Sequence, residues 1–190
     1  VGTHKGGYSA FACEIGTVLQ FGTENEIVVK ADNKARPDVI PVTQNLFGVY
    51  GGIYRPVWLI VTEQNNITVT DCASPGVYIT QKNVSKKSAD ITVKVKLDNA
   101  GLQPAALTLE NAIYTQDGRK VSVHSQSLDL TPQGTQTYTS TFKMKDPHLW
   151  HGRKDPYLYK VVCKLMADGK VIDEVVQPLG VRKYEIVAGK

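Results

Sequence analysis

Residues 91–97 read Ile-Thr-Val-Lys-Val-Lys-Leu, a run in which apolar and polar side chains alternate without a break. Because successive side chains of a β-strand point to opposite faces, this run predicts a strand with one buried and one solvated face. The next four residues, Asp-Asn-Ala-Gly at 98–101, favour a turn and should end the strand.

The rest of the chain repeats this pattern of strands and turns, and helical periodicity is almost absent. We predict further strands at residues 26–30, 57–62, 107–109, 112–115, 121–123, 136–142, 157–163 and 171–176. The run at 57–62, Val-Trp-Leu-Ile-Val-Thr, is apolar nearly throughout, which is typical of a strand covered on both faces. Many short strands at intervals of about ten residues predict an all-β chain, an antiparallel sandwich or barrel.

Two Asp-Gly dipeptides mark predicted hairpins. Asp117-Gly118 should supply the positive φ angles of a type I′ turn, and Asp168-Gly169 should join the last two predicted strands. The polar break at residues 64–66 predicts a domain boundary. The 120 or so residues that follow it have the size of an immunoglobulin-like sandwich, although the Cys…Trp…Cys core of antibody domains is missing.

Composition and charge favour an ordinary globular protein. The net charge is +4, 42% of residues are hydrophobic, and no apolar run approaches a membrane span. The lysines are spread along the chain, so neither a nucleic-acid partner nor a membrane is predicted. The four histidines lack ligand spacing, and we predict no metal and no cofactor; they are His4, His124, His148 and His151.

The three cysteines give no disulfide framework, because their number is odd and their spacing wide. Cys13 and Cys163 lie in apolar runs, where a free cysteine behaves as a small hydrophobe. The third is Cys72.

Several motifs together resemble glycoside hydrolase family 2, the β-galactosidase-like family. Residues 51–59, Gly-Gly-Ile-Tyr-Arg-Pro-Val-Trp-Leu, resemble the stretch that closes the family's N-terminal jelly roll, which the runs at 4–11 and 22–29 also resemble. Pro-His-Leu-Trp at 147–150 and Asp-Pro-Tyr-Leu-Tyr at 155–159 resemble a paired family motif. Leu-Gly-Val-Arg at 179–182 is similar to the end of the family's second domain. The motifs follow the family's order over nearly the whole chain.

The motif residues also have physical interpretations. Gly51 and Gly52 permit positive φ and close backbone approach before a strand. Arg55 enters an apolar run, so its guanidinium needs a partner, either in a structural ion pair or on a sugar. Trp150 and Tyr159 offer aromatic area for a sandwich core or for stacking on a sugar. Tyr54 and Arg182 complete the set of structural motif residues.

The resemblance implies two domains and no catalytic residue in this chain. Residues 1–63 would be the C-terminal part of a jelly-roll, galactose-binding-like domain, 64–187 an immunoglobulin-like sandwich, and 188–190 the start of a linker to a missing (β/α)8 barrel. The family's two catalytic glutamates belong to that barrel. Glu26 follows an asparagine, as the family's acid/base residue does, yet it matches the jelly roll. The chain is therefore expected to be a non-catalytic fragment that buttresses and shapes the active site of a β-glycosidase. A free-standing carbohydrate-binding or adhesion module is the alternative.

The resemblance also implies sugar contacts and partners. Asn45 is the nearest match to an acidic family loop residue that touches the sugar; it departs from acidic, and its amide could still hydrogen-bond a hydroxyl. Asp32 and Asn33 match a family Asp-Asn pair, and a strand-ending turn is the competing interpretation. In the intact parent, we expect a β-linked sugar and the barrel as partners, and a periplasmic or secreted location. If the first strands of the jelly roll are missing, residues 1–63 should self-associate while the second domain contributes little.

Overall fold

A computed structural model describes residues 1–34, 36–40 and 51–186 of the chain. The chain divides into two compact units, Val1–Val61 and Thr62–Lys190. All eight described strands belong to the second unit. They are β1 (Asn65–Ile67), β2 (Val77–Lys82), β3 (Ser88–Asn99), β4 (Ala105–Tyr114), β5 (Lys120–Leu130), β6 (Gly134–Lys145), β7 (Tyr159–Ala167) and β8 (Lys170–Leu179).

The second unit is a pair of four-stranded antiparallel sheets arranged as a sandwich. In the first sheet, β3 pairs with β6 along one edge and with β2 and β1 along the other. The second sheet has the order β5-β4-β7-β8. The chain crosses between sheets from β3 to β4, from β5 to β6 and from β6 to β7. The all-β prediction is therefore confirmed.

The strand predicted at 91–97 is the centre of β3, and its alternation is the alternation of burial. Ile91, Val93, Val95 and Leu97 are fully buried, at 0% exposure. They pack in one core with inward side chains of both sheets. The other fully buried large side chains of that core are Ile67, Leu109, Ile113, Leu130, Met144, Val161, Leu165 and Val181.

A hydrogen bond between two buried side chains links the two sheets through this core. The Asn111 amide of β4 donates to Ser140 Oγ of β6 at 2.9 Å, and both residues are buried. Ser140 Oγ in turn lies 3.1 Å from His124 Nδ1 of β5. A hydrogen bond between buried groups carries the full desolvation penalty if it is broken, so this bridge constrains how the two sheets face each other.

The two Asp-Gly hairpins form, with different turns. Asp168 and Gly169 have φ values of 50° and 74°, as a type I′ turn requires, and Ala167 pairs with Lys170. At the first hairpin only Gly118 has positive φ, 90°, and its N–H donates to the Thr115 carbonyl at 3.0 Å. The type I′ prediction for Asp117-Gly118 is therefore wrong. Thr115 holds Arg119 through backbone and side-chain hydrogen bonds, and this lengthens the loop.

A third tight turn, residues 71–74, lacks glycine. Cys72 and Ala73 have φ values of 54° and 51°, and Ser74 N–H donates to the Asp71 carbonyl at 2.9 Å. The left-handed region costs an L-residue roughly 1–2 kcal/mol. The Tyr78 hydroxyl holds the turn, since it contacts Asp71 Oδ2 and lies 2.7 Å from Ser74 Oγ.

The described part of the first unit has no regular strand, which contradicts the strands predicted at 26–30 and 57–62. Val57, Trp58, Leu59, Ile60 and Val61 are 58–87% exposed instead of covered on both faces. Cys13 is also exposed, unlike the buried Cys163. The physical reason is that an extended run becomes a strand only when a second run pairs with it, and no such ladder exists among residues 1–34, 36–40 and 51–61.

No helix long and apolar enough to span a bilayer occurs in the described residues.

Matched glycine substitutions test the two turns that have two consecutive residues with positive φ, at 72–73 and 168–169. Ala73→Gly should stabilise the second unit by about 1 kcal/mol, because it removes the left-handed penalty. Gly169→Ala should destabilise it by about the same amount, since the space beside Gly169 is open and only the backbone conformation is strained. Urea unfolding followed by Trp150 fluorescence, in a Trp58→Phe background, measures both. Equal midpoints for the two variants would contradict the turn assignments.

Candidate functional site

The motifs of the second unit meet at one end of the sandwich, where the chain leaves β8. Trp150 N–H donates to the Val181 carbonyl at 2.8 Å. Gln81 of β2 holds the same segment twice: its amide donates to the Gly180 carbonyl at 3.1 Å, and its carbonyl accepts from Arg182 N–H at 2.9 Å. Residues 180–182 are therefore tied to both sheets.

Trp150 is packed by its own chain. The Arg182 guanidinium lies 4.9 Å from the centroid of the indole ring. Gly180 passes so close that an added Cβ would lie 3.1 Å from Trp150 Cγ and 3.3 Å from Leu158 Cδ2. These contacts favour a packing role for Trp150 over a platform for a sugar, and they explain why glycine occupies position 180.

His148 and two tyrosines complete this cluster. The His148 ring stacks on Tyr157 with centroids 4.1 Å apart, and His148 Nε2 lies 2.7 Å from Asp155 Oδ2. His148 N–H donates to the Tyr159 hydroxyl at 2.8 Å. Tyr159 is 5% exposed and belongs to the core, and burial raises the pKa of its hydroxyl. We call His148, Trp150, Tyr157, Tyr159 and Arg182 the aromatic cluster.

The proposed sugar-contact residues lie in the first unit. Asp32 Oδ1 accepts a local hydrogen bond from Lys34 N–H at 3.0 Å. The Asn33 side chain lies beside Gly51, with its nitrogen 3.6 Å from where a Cβ would stand. The structure thus brings together two residues that are 18 positions apart in the sequence. Asn45 falls outside the described residues.

The other motif residues of the first unit, Gly52, Tyr54 and Arg55, have local roles within that unit. Gly52 has φ of 103°, the positive value expected from its lack of a Cβ. The Tyr54 hydroxyl donates to the Gly7 carbonyl at 2.9 Å. The Arg55 guanidinium lies 5.6 Å from the Tyr54 ring centroid, a cation–π contact.

Sequence reasoning missed a charge cluster in the first unit. Arg36 donates to Asp38 through two nitrogens, at 2.9 and 3.0 Å, and Lys5 Nζ lies 3.3 Å from the same carboxylate. Hydrogen bonds from Arg36 are the main cause that lowers the pKa of Asp38 to about 2, and Lys5 adds to the effect. The spacing Arg36-x-Asp38 could have predicted this pair from the sequence. Lys5 lies 33 residues before Asp38, so no local spacing predicts its contact.

Two further features bear on reactive chemistry in the described residues. Burial raises the pKa of the Cys163 thiol to about 12, so this cysteine is an inert core residue. Within residues 1–34, 36–40 and 51–186, no three side chains of the kinds that ligate metals converge.

The model of the family "Glycosyl hydrolases family 2" matches residues 75–182, more than half of the chain. The chain belongs to glycosyl hydrolase family 2. The matched span begins just before β2 and ends at Arg182, so it contains the whole aromatic cluster.

Relatives of this family 2 chain carry two kinds of name. A β-glucuronidase of Bacteroides fragilis is 39% identical over 97% of this chain and 26% of its own length. A β-galactosidase of Thermoanaerobacter pseudethanolicus is 28% identical over 97% of this chain and 23% of its own length. The crystal structure of a putative β-galactosidase from Bacteroides fragilis is 89% identical, with a TM-score of 0.96 over 100% of this chain and 28% of that one. The chain therefore spans about a quarter of the relatives it matches.

Removal of the Arg36 guanidinium should raise the pKa of the Asp38 carboxyl towards its ordinary value. With Arg36→Gln, the pKa of Asp38 should rise from about 2 to about 3 or above. Lys5→Met should raise it less, because Lys5 makes a single contact. Since the folded pKa lies below the ordinary 3.8, the ionised form favours the fold above that pH, and this contribution is lost as the pH falls towards 2. Carboxyl ¹³C NMR titration measures all three pKa values. A pKa near 3.8 in the unsubstituted protein would disprove the cluster.

Proposed function

We propose that this family 2 chain is the non-catalytic β-sandwich part of a β-glycosidase, where it buttresses and shapes the active site of a (β/α)8 barrel. One observation carries the proposal: the whole chain superposes on 28% of an 89% identical protein described as a putative β-galactosidase. Most of that protein lies outside the matched part, which is room for a barrel of about 250 residues. Retaining glycosidases need two carboxyl groups about 5–5.5 Å apart, and the family places that pair on the barrel.

We assign the second unit to an immunoglobulin-like sandwich and the first to the C-terminal part of a jelly roll. The arrangement of the two sheets supports the immunoglobulin-like assignment. One sheet has the order β5-β4-β7-β8, and in the other β3 pairs with β6, β2 and β1. The three crossings of the chain between the sheets also support it. The order of the family motifs in residues 1–63 supports the jelly-roll assignment of the first unit.

The aromatic cluster supplies a physical means of buttressing. By resemblance, the barrel begins shortly after Arg182. Gln81 and Trp150 hold residues 180–182 with three hydrogen bonds, so the chain leaves the sandwich in one fixed direction. A catalytic centre built on the following domain would inherit that orientation, and small misplacements of catalytic groups are costly.

The substrate class we propose is a β-galactoside or a β-glucuronide, the two that the relatives' names print. Asp32, Asn33 and Asn45 would contribute polar groups at the rim of the sugar site. We also propose a periplasmic or secreted location, and self-association through residues 1–63. The exposed apolar side chains of the first unit support association, since such patches tend to be covered; they include Phe21, Val28, Val57, Trp58 and Val61.

A free-standing carbohydrate-binding module is the alternative. It needs an exposed aromatic ring, and Trp58, at 79% exposure, meets that need better than the packed Trp150. Glycan-array binding by the chain that is lost in Trp58→Ala would favour this alternative.

A glycosidase assay of the purified chain tests the main proposal. The purified chain should not turn over nitrophenyl β-galactoside or nitrophenyl β-glucuronide above the rate of buffer, because the proposal puts neither catalytic carboxylate in it. Turnover that disappears in Glu26→Gln, the one glutamate in a family-like Asn-Glu context, would overturn the proposal. Turnover that persists in that variant and survives purification and refolding would overturn it as well, whereas turnover that these steps remove comes from a contaminating enzyme.

A further inference from the structure

Five exposed lysines from two distant parts of the sequence meet at one corner of the first sheet. We call them the lysine corner: Lys82, Lys86, Lys87, Lys143 and Lys145. Lys82 of β2 and Lys143 of β6 lie on either side of Asp90 of β3. Neighbouring strands are about 4.8 Å apart, so these two lysines stem from positions about 10 Å apart. Lys145 follows two positions later on β6 and lies on the same face. The β2–β3 turn adds the other two, since the Lys87 carbonyl accepts from Asp146 N–H at 2.9 Å.

The lysine corner holds more positive charge than its surroundings neutralise. None of its five lysines forms an ion pair with a described residue. Two carboxylates are adjacent, those of Asp90 and Asp146, and the Asn83 amide donates to Asp90 Oδ2 at 2.7 Å. Like charges that are held close together repel each other, and a bound anion relieves that repulsion. The lysine corner is therefore suited to an anionic ligand.

A row of threonines crosses the outer face of the same sheet next to the lysine corner. Thr92 of β3 is flanked by Thr80 of β2 and Thr141 of β6. This threonine row lies about 7 Å along β3 from Asp90. One step further along β3 is Lys94, which also forms no ion pair with a described residue. Three hydroxyl groups, each able to donate and to accept a hydrogen bond, therefore lie between two positively charged parts of the face.

We infer that the outer face of the first sheet binds a glycan chain that carries carboxylate groups. Its uronate carboxylates lie against the lysine corner and Lys94, and its neutral hydroxyls bond to the threonine row between them. A face on which positive and hydroxyl-bearing rows alternate matches a glycan in which charged and neutral sugars alternate. That the ligand is anionic rests on the lysines, whereas that it is a glycan rests on the proposed function. The inference favours a β-glucuronide over a β-galactoside as the substrate class.

A nucleic acid fits this face less well than a glycan does. Proteins bind single strands through several aromatic side chains on which bases stack, in addition to cations. The three rows are fully described, and Tyr78, opposite Lys94, is the one aromatic residue among their outward side chains. The Tyr78 hydroxyl contacts Asp71 Oδ2, and Lys96 Nζ lies 5.9 Å from the centroid of the Tyr78 ring. This ring is therefore engaged within the protein, and the face lacks a platform for successive bases.

Titration with a defined oligosaccharide tests the inference. The full chain, labelled with ¹⁵N, is titrated with a hyaluronan decasaccharide, in which every second sugar is a β-linked glucuronate. The matched control is the same oligosaccharide with its carboxylates reduced to hydroxymethyl groups. The decasaccharide should shift the amide signals of residues 82–87 and 141–145. The reduced form should bind more weakly by about tenfold or more, because it lacks the charges that face the lysines.

Three variants locate the site on the protein. K143E/K145E should weaken binding of the decasaccharide by roughly tenfold or more, because it turns two attractions into repulsions. K160E/K170E makes the same change of net charge at two exposed positions of the other sheet, and it should leave the affinity within about twofold. Thr141→Val has a similar shape but lacks one hydroxyl. It should weaken binding of the decasaccharide by roughly three- to tenfold and leave binding of a DNA oligonucleotide unchanged.

Equal affinity for the two forms of the oligosaccharide, or no shift in the amides of the lysine corner, would overturn the inference. A DNA oligonucleotide of equal charge that binds as tightly as the decasaccharide would overturn it too, since the face would then select charge alone. Binding that is lost in Trp58→Ala and kept in K143E/K145E would place the glycan site in the first unit and contradict the inference. The glycosidase assay is read separately, because turnover by the chain would overturn the proposed function without changing where the decasaccharide binds.

Discussion

The structure depends on the burial of one face of β3. Ile91, Val93, Val95 and Leu97 are each fully buried, and β3 pairs with β6 on one edge and with β2 and β1 on the other. Full burial of each such side chain contributes roughly 1.5–3 kcal/mol. A shift of register by one residue would turn all four towards solvent and bring the intervening lysines and threonine into the core. This penalty fixes the register of every strand in the first sheet.

The second sheet is positioned by its side chains that cover the buried face of β3. Leu109, Ile113, Val161 and Leu165 meet the β3 residues in the core, and the Asn111–Ser140 bond leaves the sheets few other ways to face each other. Trp150 precedes β7, and Gly180 and Arg182 come after β8, so the positions of these two strands set the positions of the three residues. The family motifs of the second unit are thus a consequence of the sandwich core, and they lie at the end of the sandwich where the chain leaves β8.

Prediction from sequence succeeded where the signal was local. The alternation at 91–97 and the Asp168-Gly169 turn carry their structure in a few residues, and both were confirmed. Asp117-Gly118 was predicted with the wrong turn, because Thr115 and Arg119 outside the dipeptide decide the loop. The runs at 26–30 and 57–62 have strong β propensity but no pairing partner in the described residues, and propensity alone does not make a strand. The stack of His148 on Tyr157 was not predicted, since it depends on how the loop before β7 folds back. The pair of Asn33 with Gly51 was likewise out of reach of spacing arguments.

Hydrogen exchange of the backbone amides tests the central role of β3 most directly. If burial of its apolar face holds the fold together, the amides of residues 91–97 should be among the slowest to exchange, at the rate set by global unfolding of the second unit. The described amides of the first unit, which lie in no ladder, should exchange far faster. Amides of 91–97 that exchange as fast as those at the ends of β5 or β8 would contradict the account, because β3 would then open without unfolding the sandwich.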